Sequence, residues 1–202
     1  MNNKHIIEKY LINRGSKNDL PINENIQVKI TTLLEHVTQK HSKLLPVRFD
    51  VHYPSDIQSS GTNKDISKMM AKLVKKYKRQ GLDPYYFWVR EQENSHNPHY
   101  HCALFLNGHK VYKYNHVFRN AEKLWEKTIA NDSDGLIHHC TKGKDDKEHQ
   151  NGIRLDRSAP DFTDKFNEVH YQTSYCSKAS QKSESNDGLR NIGMSRIGRN
   201  SK

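Results

Sequence analysis

Between Pro46 and Tyr53 the side chains alternate with a period of two: Val47, Phe49, Val51 and Tyr53 fall on one side, Arg48, Asp50 and His52 on the other. Such a run specifies a half-buried strand, because successive side chains on an extended backbone point to opposite faces. Pro54 ends it, and a polar loop over 55–63 follows. A lone strand is not stable, and the chain supplies partners for its edges. Tyr85–Glu91 and His99–Leu106 read as a hairpin joined by the polar loop Gln92–Pro98, with Asn107-Gly108 as the closing turn. Leu136–Cys140 and Gly152–Leu155 are shorter strand candidates around a charged loop, 141–150.

Helical spacing fills the segments between. Ile26, Ile30, Leu33, Leu34 and Val37 predict an amphipathic helix over 23–42 with Asn23 as its cap. Ile66, Met69, Met70, Leu73, Val74 and Tyr77 form the cleanest stripe, ended by Gly81. Its other face carries Lys64, Lys68, Lys72, Lys75, Lys76 and Arg79, a solvated face that doubles as a candidate DNA path. Phe118, Ala121, Leu124 and Trp125 mark a helix over 115–130, Phe162 and Phe166 a short one, and a further helix is expected over 168–182. This order predicts an α+β fold: a central antiparallel sheet of about five strands with helices packed mainly on one face. Residues 1–45 read as an N-terminal helical extension with a loosely attached lead-in, 46–182 as the main domain, and 183–202 as a basic flexible tail.

Hydrophobic residues make up only 33% of the 202, so the core is modest for this length. Lys and Arg outnumber Asp and Glu by 33 to 23, a net charge of +10 that points to an anionic partner, nucleic acid first. Cys102, Cys140 and Cys176 form no CxxC and fit reduced thiols in a cytoplasm. No stretch approaches the ~20 apolar residues of a membrane span, and the polar Met-Asn-Asn-Lys-His start does not read as a signal peptide.

His99-Tyr100-His101 opens the second hairpin strand, so both imidazoles face one point while Tyr100 faces away. Two imidazoles so placed can hold a divalent metal and leave positions for substrate. With 13 histidines in the chain the spacing alone specifies little; the rigid strand Cys102–Leu106 behind it is what lends it weight. A third ligand is expected from the neighbouring strand end: Glu91, which continues the face of Phe87 and Val89, ahead of Glu93. A carboxylate with two imidazoles suits Mn²⁺ or Mg²⁺ at a phosphate-binding site.

The second element is Tyr175-Cys176-Ser177-Lys178. A phenol with a pKa of about 10 is a poor nucleophile at neutral pH. Lys178, three residues on, shares its helical face and favours negative charge on or near its oxygen. Tyr171, one turn earlier, is a possible second nucleophile, though a packing or stacking role suits it better.

Together these residues resemble the HUH endonucleases: rolling-circle initiators, relaxases and related transposases. Residues 46–182 are most similar to the replication-initiator-like proteins of filamentous phages and related prophage elements, through Arg48–Pro54, Val89–Glu91, Asn97–Asn107, Asn151–Asp161 and Ser174–Lys178. The resemblance implies a central antiparallel sheet with the metal on its open face and the tyrosine helix beside it. It implies attack by Tyr175 on single-stranded DNA at an origin or hairpin, giving a 5′-phosphotyrosine and a 3′-OH that primes rolling-circle replication of a phage or plasmid-like element. A carboxylate, Glu91, completes the metal site. Arg48, Lys68 and Lys72 are the candidate nucleic-acid contacts. No Gly-x-x-x-x-Gly-Lys-Ser/Thr loop is present, so unwinding is expected from a host helicase, with a host polymerase extending the primer.

Two other classes compete. A non-catalytic basic DNA-binding regulator of a mobile element accounts for the charge but leaves His99, His101 and Tyr175 as unrelated packing residues. A zinc-stabilised module built on His138, His139, Cys140 or Cys102 is poorer, since adjacent strand residues point apart and do not readily share one metal.

Overall fold

The computed structural model describes residues 3–15, 17–92, 95–131, 135–141, 150–178 and 189–198. Its framework is one antiparallel sheet of six strands: β1 (Lys43–Val51), β2 (Tyr85–Glu91), β3 (His99–Asn107), β4 (Ile137–His138), β5 (Leu155–Asp156) and β6 (Ile192–Met194). They run in the order β4-β1-β3-β2-β6, with β5 paired to the other end of β1. The long central strand β3 sits between β1 and β2. Its pairing with β1 sets Asp50 opposite His101, and its pairing with β2 sets Glu91 opposite His99. A slip of one residue in either register moves every one of these side chains to the other face.

Among the described residues there are five helices, α1 (Asn3–Glu8), which packs on α2, and α2 (Glu24–Lys40), α3 (Lys64–Arg79), α4 (Asn115–Ile129) and α5 (Phe162–Ser174), which cover the sheet. The α+β class and the central antiparallel sheet match the sequence expectation. The helices, expected mainly on one face, divide between both. Val47, Phe49, Tyr100, Cys102, Leu104 and Trp88 pack with α3 and α4. The alternate residues Phe87, Val89, Ala103 and Phe105 pack with α2 and α5. Consecutive apolar residues on β2 and β3 leave neither face fit for water, so both are covered. The helix over 24–40 is therefore a cover of the sheet rather than an extension. Asn23 caps it as expected, its side chain accepting from the Ile26 N–H.

Three further expectations are corrected. The lead-in before α2 is tied down: the Tyr10 hydroxyl donates to Glu35 at 2.9 Å, the Asn13 N–H to Ser174 Oγ at 2.8 Å, and Ile22 forms a bridge to Lys178. The helices expected near Phe162 and over 168–182 are one helix that stops at Ser174 and tightens into a 3₁₀ turn, Tyr175–Ser177. Hydroxyls of Thr173 and Ser174 each donate to a carbonyl three or four residues back, a competition that ends α-helices. The C-terminal segment, expected to be loose throughout, supplies β6, which pairs with β2 from Phe87 to Val89. Trp88 lies so close to Gly193 that a Cβ there would meet the indole at 2.3 Å. Residues 179–188 and 199–202 lie outside the described residues.

A buried polar network joins α2, α5 and the 3₁₀ turn. Ser177 Oγ donates to Gln27 Oε1 at 2.7 Å, the Gln27 amide donates to Thr31 Oγ1 at 3.1 Å, and His170 Nε2 meets Thr31 Oγ1 at 2.9 Å and Gln27 Nε2 at 3.3 Å. His170 Nδ1 lies 3.3 Å from the Leu11 carbonyl oxygen. A neutral imidazole donating from Nδ1 and accepting at Nε2 satisfies all of these contacts. Burial pushes the His170 pKa down to about 4, against the partial help of the Leu11 carbonyl.

The unfolded chain therefore binds a proton at His170 near pH 6.5 while the folded chain resists until about pH 4. This contribution to stability is full above pH 6.5 and is lost as pH falls toward 4, by about 3 kcal/mol. Urea unfolding of wild type and His170→Asn across that range should show a pH-dependent difference of this size. A constant difference would exclude a neutral buried imidazole.

Candidate metal and nucleophile site

The site lies on the α2/α5 face of the sheet, where β1, β3 and β2 each contribute at neighbouring register positions. His99 and His101 stand on one face of β3, as their spacing requires. His101 is almost fully buried, and both of its ring nitrogens meet carboxylates: Nδ1 lies 2.8 Å from Asp50 Oδ1, and Nε2 lies 2.6 Å from Glu91 Oε2. His99 is more open, with Nε2 3.4 Å from Glu91 Oε1. Donor atoms of Glu91, His99 and His101 all lie within 4.8 Å of one another.

This donor set fits a divalent cation. Two imidazoles and one carboxylate converge from rigid strands, and Asp50 holds Nδ1 of His101 so that Nε2 faces the other ligands. Glu91 is the carboxylate the sequence favoured. Its alternative, Glu93, lies outside the described residues. Burial raises the Glu91 pKa, but the hydrogen bonds from His101 and His99 and the charge of Lys178 outweigh it and hold the carboxyl well below its usual range. Burial likewise works upward on Asp50, while His101 and Arg48 pull it further down. Both groups are therefore anionic at neutral pH.

The 3₁₀ turn brings Tyr175 and Lys178 onto this cluster. Lys178 Nζ donates to Tyr175 Oη at 3.1 Å and lies 3.3 Å from Glu91 Oε1, so one ammonium joins the phenol to the candidate metal-ligand carboxylate. The Tyr175 ring stands edge-on to His101, with centroids 5.9 Å apart. The Arg48 guanidinium lies over the same ring at 5.0 Å and sits 3.6 Å from Asp50. Burial would lower the Lys178 pKa, but its bonds to Tyr175 and the charge of Glu91 raise it overall. Lys178 is thus a fixed cation and hydrogen-bond donor, not a base.

The remaining sequence candidates separate from this centre. Tyr171 is exposed, and among the described residues its side chain has no hydrogen bond or ring contact with the site. Lys68 and Lys72 are exposed on α3, which packs against the opposite face of the sheet from His99 and His101. Arg48 alone of the three nucleic-acid candidates stands at the centre.

Asp50 and His52 were missed as site residues. His52 stacks on His99, centroids 5.2 Å apart and planes 12° from parallel. The signal was present in the alternation of β1, where Arg48, Asp50 and His52 share a face. It was read as a solvent face because nothing local says that β1 pairs with β3.

The fold and site define an α+β protein with a histidine–carboxylate cluster on a central antiparallel sheet and a tyrosine–lysine turn against it. The family model for the YagK/YfjJ C-terminal domain matches residues 8–195, and the chain belongs to that family. The match runs from the last residue of α1 through all six strands and the tyrosine turn. No curated protein and no solved structure matches the chain.

Asp50→Asn should lower Mn²⁺ affinity about 10- to 100-fold, the usual effect of losing a carboxylate that orients a ligating imidazole. Calorimetric Mn²⁺ titration checks this, with circular dichroism confirming the fold. Unchanged affinity would remove Asp50 from the site.

Proposed function

We propose that this chain is a metal-dependent endonuclease and strand transferase for single-stranded DNA, one that initiates rolling-circle replication of a phage or plasmid-like element. The observation that carries the proposal is the single ammonium of Lys178, bonded to Tyr175 Oη at 3.1 Å and to Glu91 Oε1 at 3.3 Å. A nucleophile tethered to a metal-ligand carboxylate is what a phosphoryl transfer needs and what a passive DNA-binding module does not.

His99, His101 and Glu91 would hold Mn²⁺ or Mg²⁺, which supplies Lewis-acid polarisation of the scissile phosphate and neutralises its charge. Arg48 and Lys178 place two positive charges beside the phenol. They stabilise negative charge as it develops on Tyr175 Oη and on the phosphate oxygens. The phenol proton leaves to solvent, the Tyr175 Oη–phosphorus bond forms, and the bond from phosphorus to the 3′ oxygen breaks. That oxygen takes up a proton and becomes the free 3′-OH. The 5′-phosphotyrosine link keeps the phosphodiester energy, so attack by a 3′-OH reverses the step and joins strands. The net charge of +10 suits a polyanionic substrate. A helicase and a polymerase of the host complete the scheme, with the cytoplasm of a bacterial cell as the setting. Among the described residues no helix is long and apolar enough to cross a membrane.

The test is incubation with Mn²⁺ and a single-stranded oligonucleotide, followed by a denaturing gel. Wild type should yield cut DNA and a covalent protein–DNA band. Tyr175→Phe should lose the band yet keep DNA and metal binding, and Tyr171→Phe should keep first cleavage. His99→Ala and His101→Ala should each cut at least about 1,000-fold more slowly, as expected from losing several kcal/mol of electrostatic stabilisation. Binding without any adduct in wild type would favour the regulator reading, and an adduct mapped to Tyr171 would reverse the nucleophile assignment.

A further inference from the structure

A second group of metal donors stands beside the first, at the outer edge of β1. Asp50 pairs in register with His138 of β4, and Cys140 follows His138 by two residues. One donor atom from each lies within 4.8 Å of the others. His138 Nδ1 is 3.7 Å from Cys140 Sγ and 4.0 Å from Asp50 Oδ2. Donors around a tetrahedral zinc, with bonds of about 2.0–2.3 Å, stand roughly 3.3–3.8 Å apart, so both His138 contacts lie within a few tenths of an ångström of ligating separations.

The backbone favours the same reading. Cys140 has φ +51°, in the left-handed region where a residue with a Cβ is disfavoured by roughly 1 kcal/mol or more. That turn swings the thiol back toward His138, and the Cys140 N–H also reaches His138 Nδ1 at 3.4 Å. That long contact lies on the one Nδ1 lone pair, which would exchange it for the ion on binding. His139 faces elsewhere, stacked on Phe118 at 4.1 Å. The adjacent pair His138–His139 thus shares no metal, as strand geometry requires, whereas the i, i+2 pair with Asp50 has the right disposition.

We infer that Asp50, His138 and Cys140 form a zinc site distinct from the His99–His101–Glu91 cluster, with water as the fourth ligand. The sulfur decides the class of ion. A thiolate with an imidazole and a carboxylate selects zinc over Mg²⁺ or Mn²⁺, the hard ions suited to the neighbouring cluster. The Cys140 thiol releases its proton on binding, so two anionic ligands balance the dication. Arg48, 3.6 Å from Asp50, opposes a second cation, and those two anions offset it. Asp50 serves both sites through different oxygens, Oδ1 toward His101 and Oδ2 toward His138.

The inference does not depend on DNA cleavage, and its test reads sulfur ligation directly. Reduced full-length protein is titrated with Co²⁺, a spectroscopic stand-in for zinc, and the sulfur-to-cobalt charge-transfer absorption is recorded. Wild type should show the band at one equivalent and lose it on addition of Zn²⁺. Cys140→Ser and His138→Ala should each lose the band with their circular dichroism unchanged, while His99→Ala keeps it. Cys140 is only partly buried, so a serine there is tolerated more readily than at the fully buried Cys102 or Cys176. A wild type that binds Co²⁺ without the band, or a Cys140→Ser protein that retains it, would overturn the site. A protein that shows the band but never cuts DNA would uphold this inference and refute the proposed activity.

Discussion

The buried carboxylate of Glu91 is the interaction on which the rest of the site depends. An ionised carboxyl taken out of water is stable only when nearby groups replace its hydration. Here three do: His101 at 2.6 Å, His99 at 3.4 Å and Lys178 at 3.3 Å. They come from β3 and from the turn after α5, where Lys178 stands 87 positions beyond Glu91. Stripping such a charge of a partner typically costs about 3–5 kcal/mol. Sheet register, strand end and tyrosine turn are thus bound into one electrostatic unit. A metal held by the same carboxylate would enter an environment already arranged for positive charge.

The N-terminal segment acquires a role from that dependence. Lys178 reaches Glu91 only if the 3₁₀ turn is held against the sheet, and the turn is clasped from outside. The Asn23 N–H donates to the Ser177 carbonyl at 2.7 Å, Ile22 bridges Lys178, and Gln27 accepts from Ser177. Thr31 and His170 close the network beneath. These contacts join residues some 150 positions apart, so the residues before β1 belong to the architecture of the site. The family match beginning at residue 8 is consistent with that unity.

Most of the framework was legible where a period repeats over enough residues. The alternation in β1, the stripe of α3, the hairpin of β2 and β3, and the pairing of Glu91 with the histidines all follow from local pattern. What was not legible depends on contacts between distant segments. Asp50 looked solvent-facing because its partner His101 lies 51 residues on. Helices on both faces were foreshadowed by unbroken apolar runs such as Phe87-Trp88-Val89 and Cys102–Leu106, but the polar positions of β1 argued for an open face. The 3₁₀ turn rests on hydroxyl back-bonding that helical periodicity does not register. Strand β6, three residues long beside Trp88, has too little sequence to declare itself.

The central claim is spatial: a divalent ion held by His99, His101 and Glu91 sits beside Tyr175. Paramagnetic broadening reports that distance without requiring turnover. Protein with isotope-labelled tyrosine rings, the Tyr175 signal assigned through Tyr175→Phe, is titrated with substoichiometric Mn²⁺. The account predicts that Tyr175 broadens first among the ten tyrosines, and that Glu91→Gln shifts this to higher Mn²⁺. A Tyr175 signal that stays sharp while Mn²⁺ binds would contradict it.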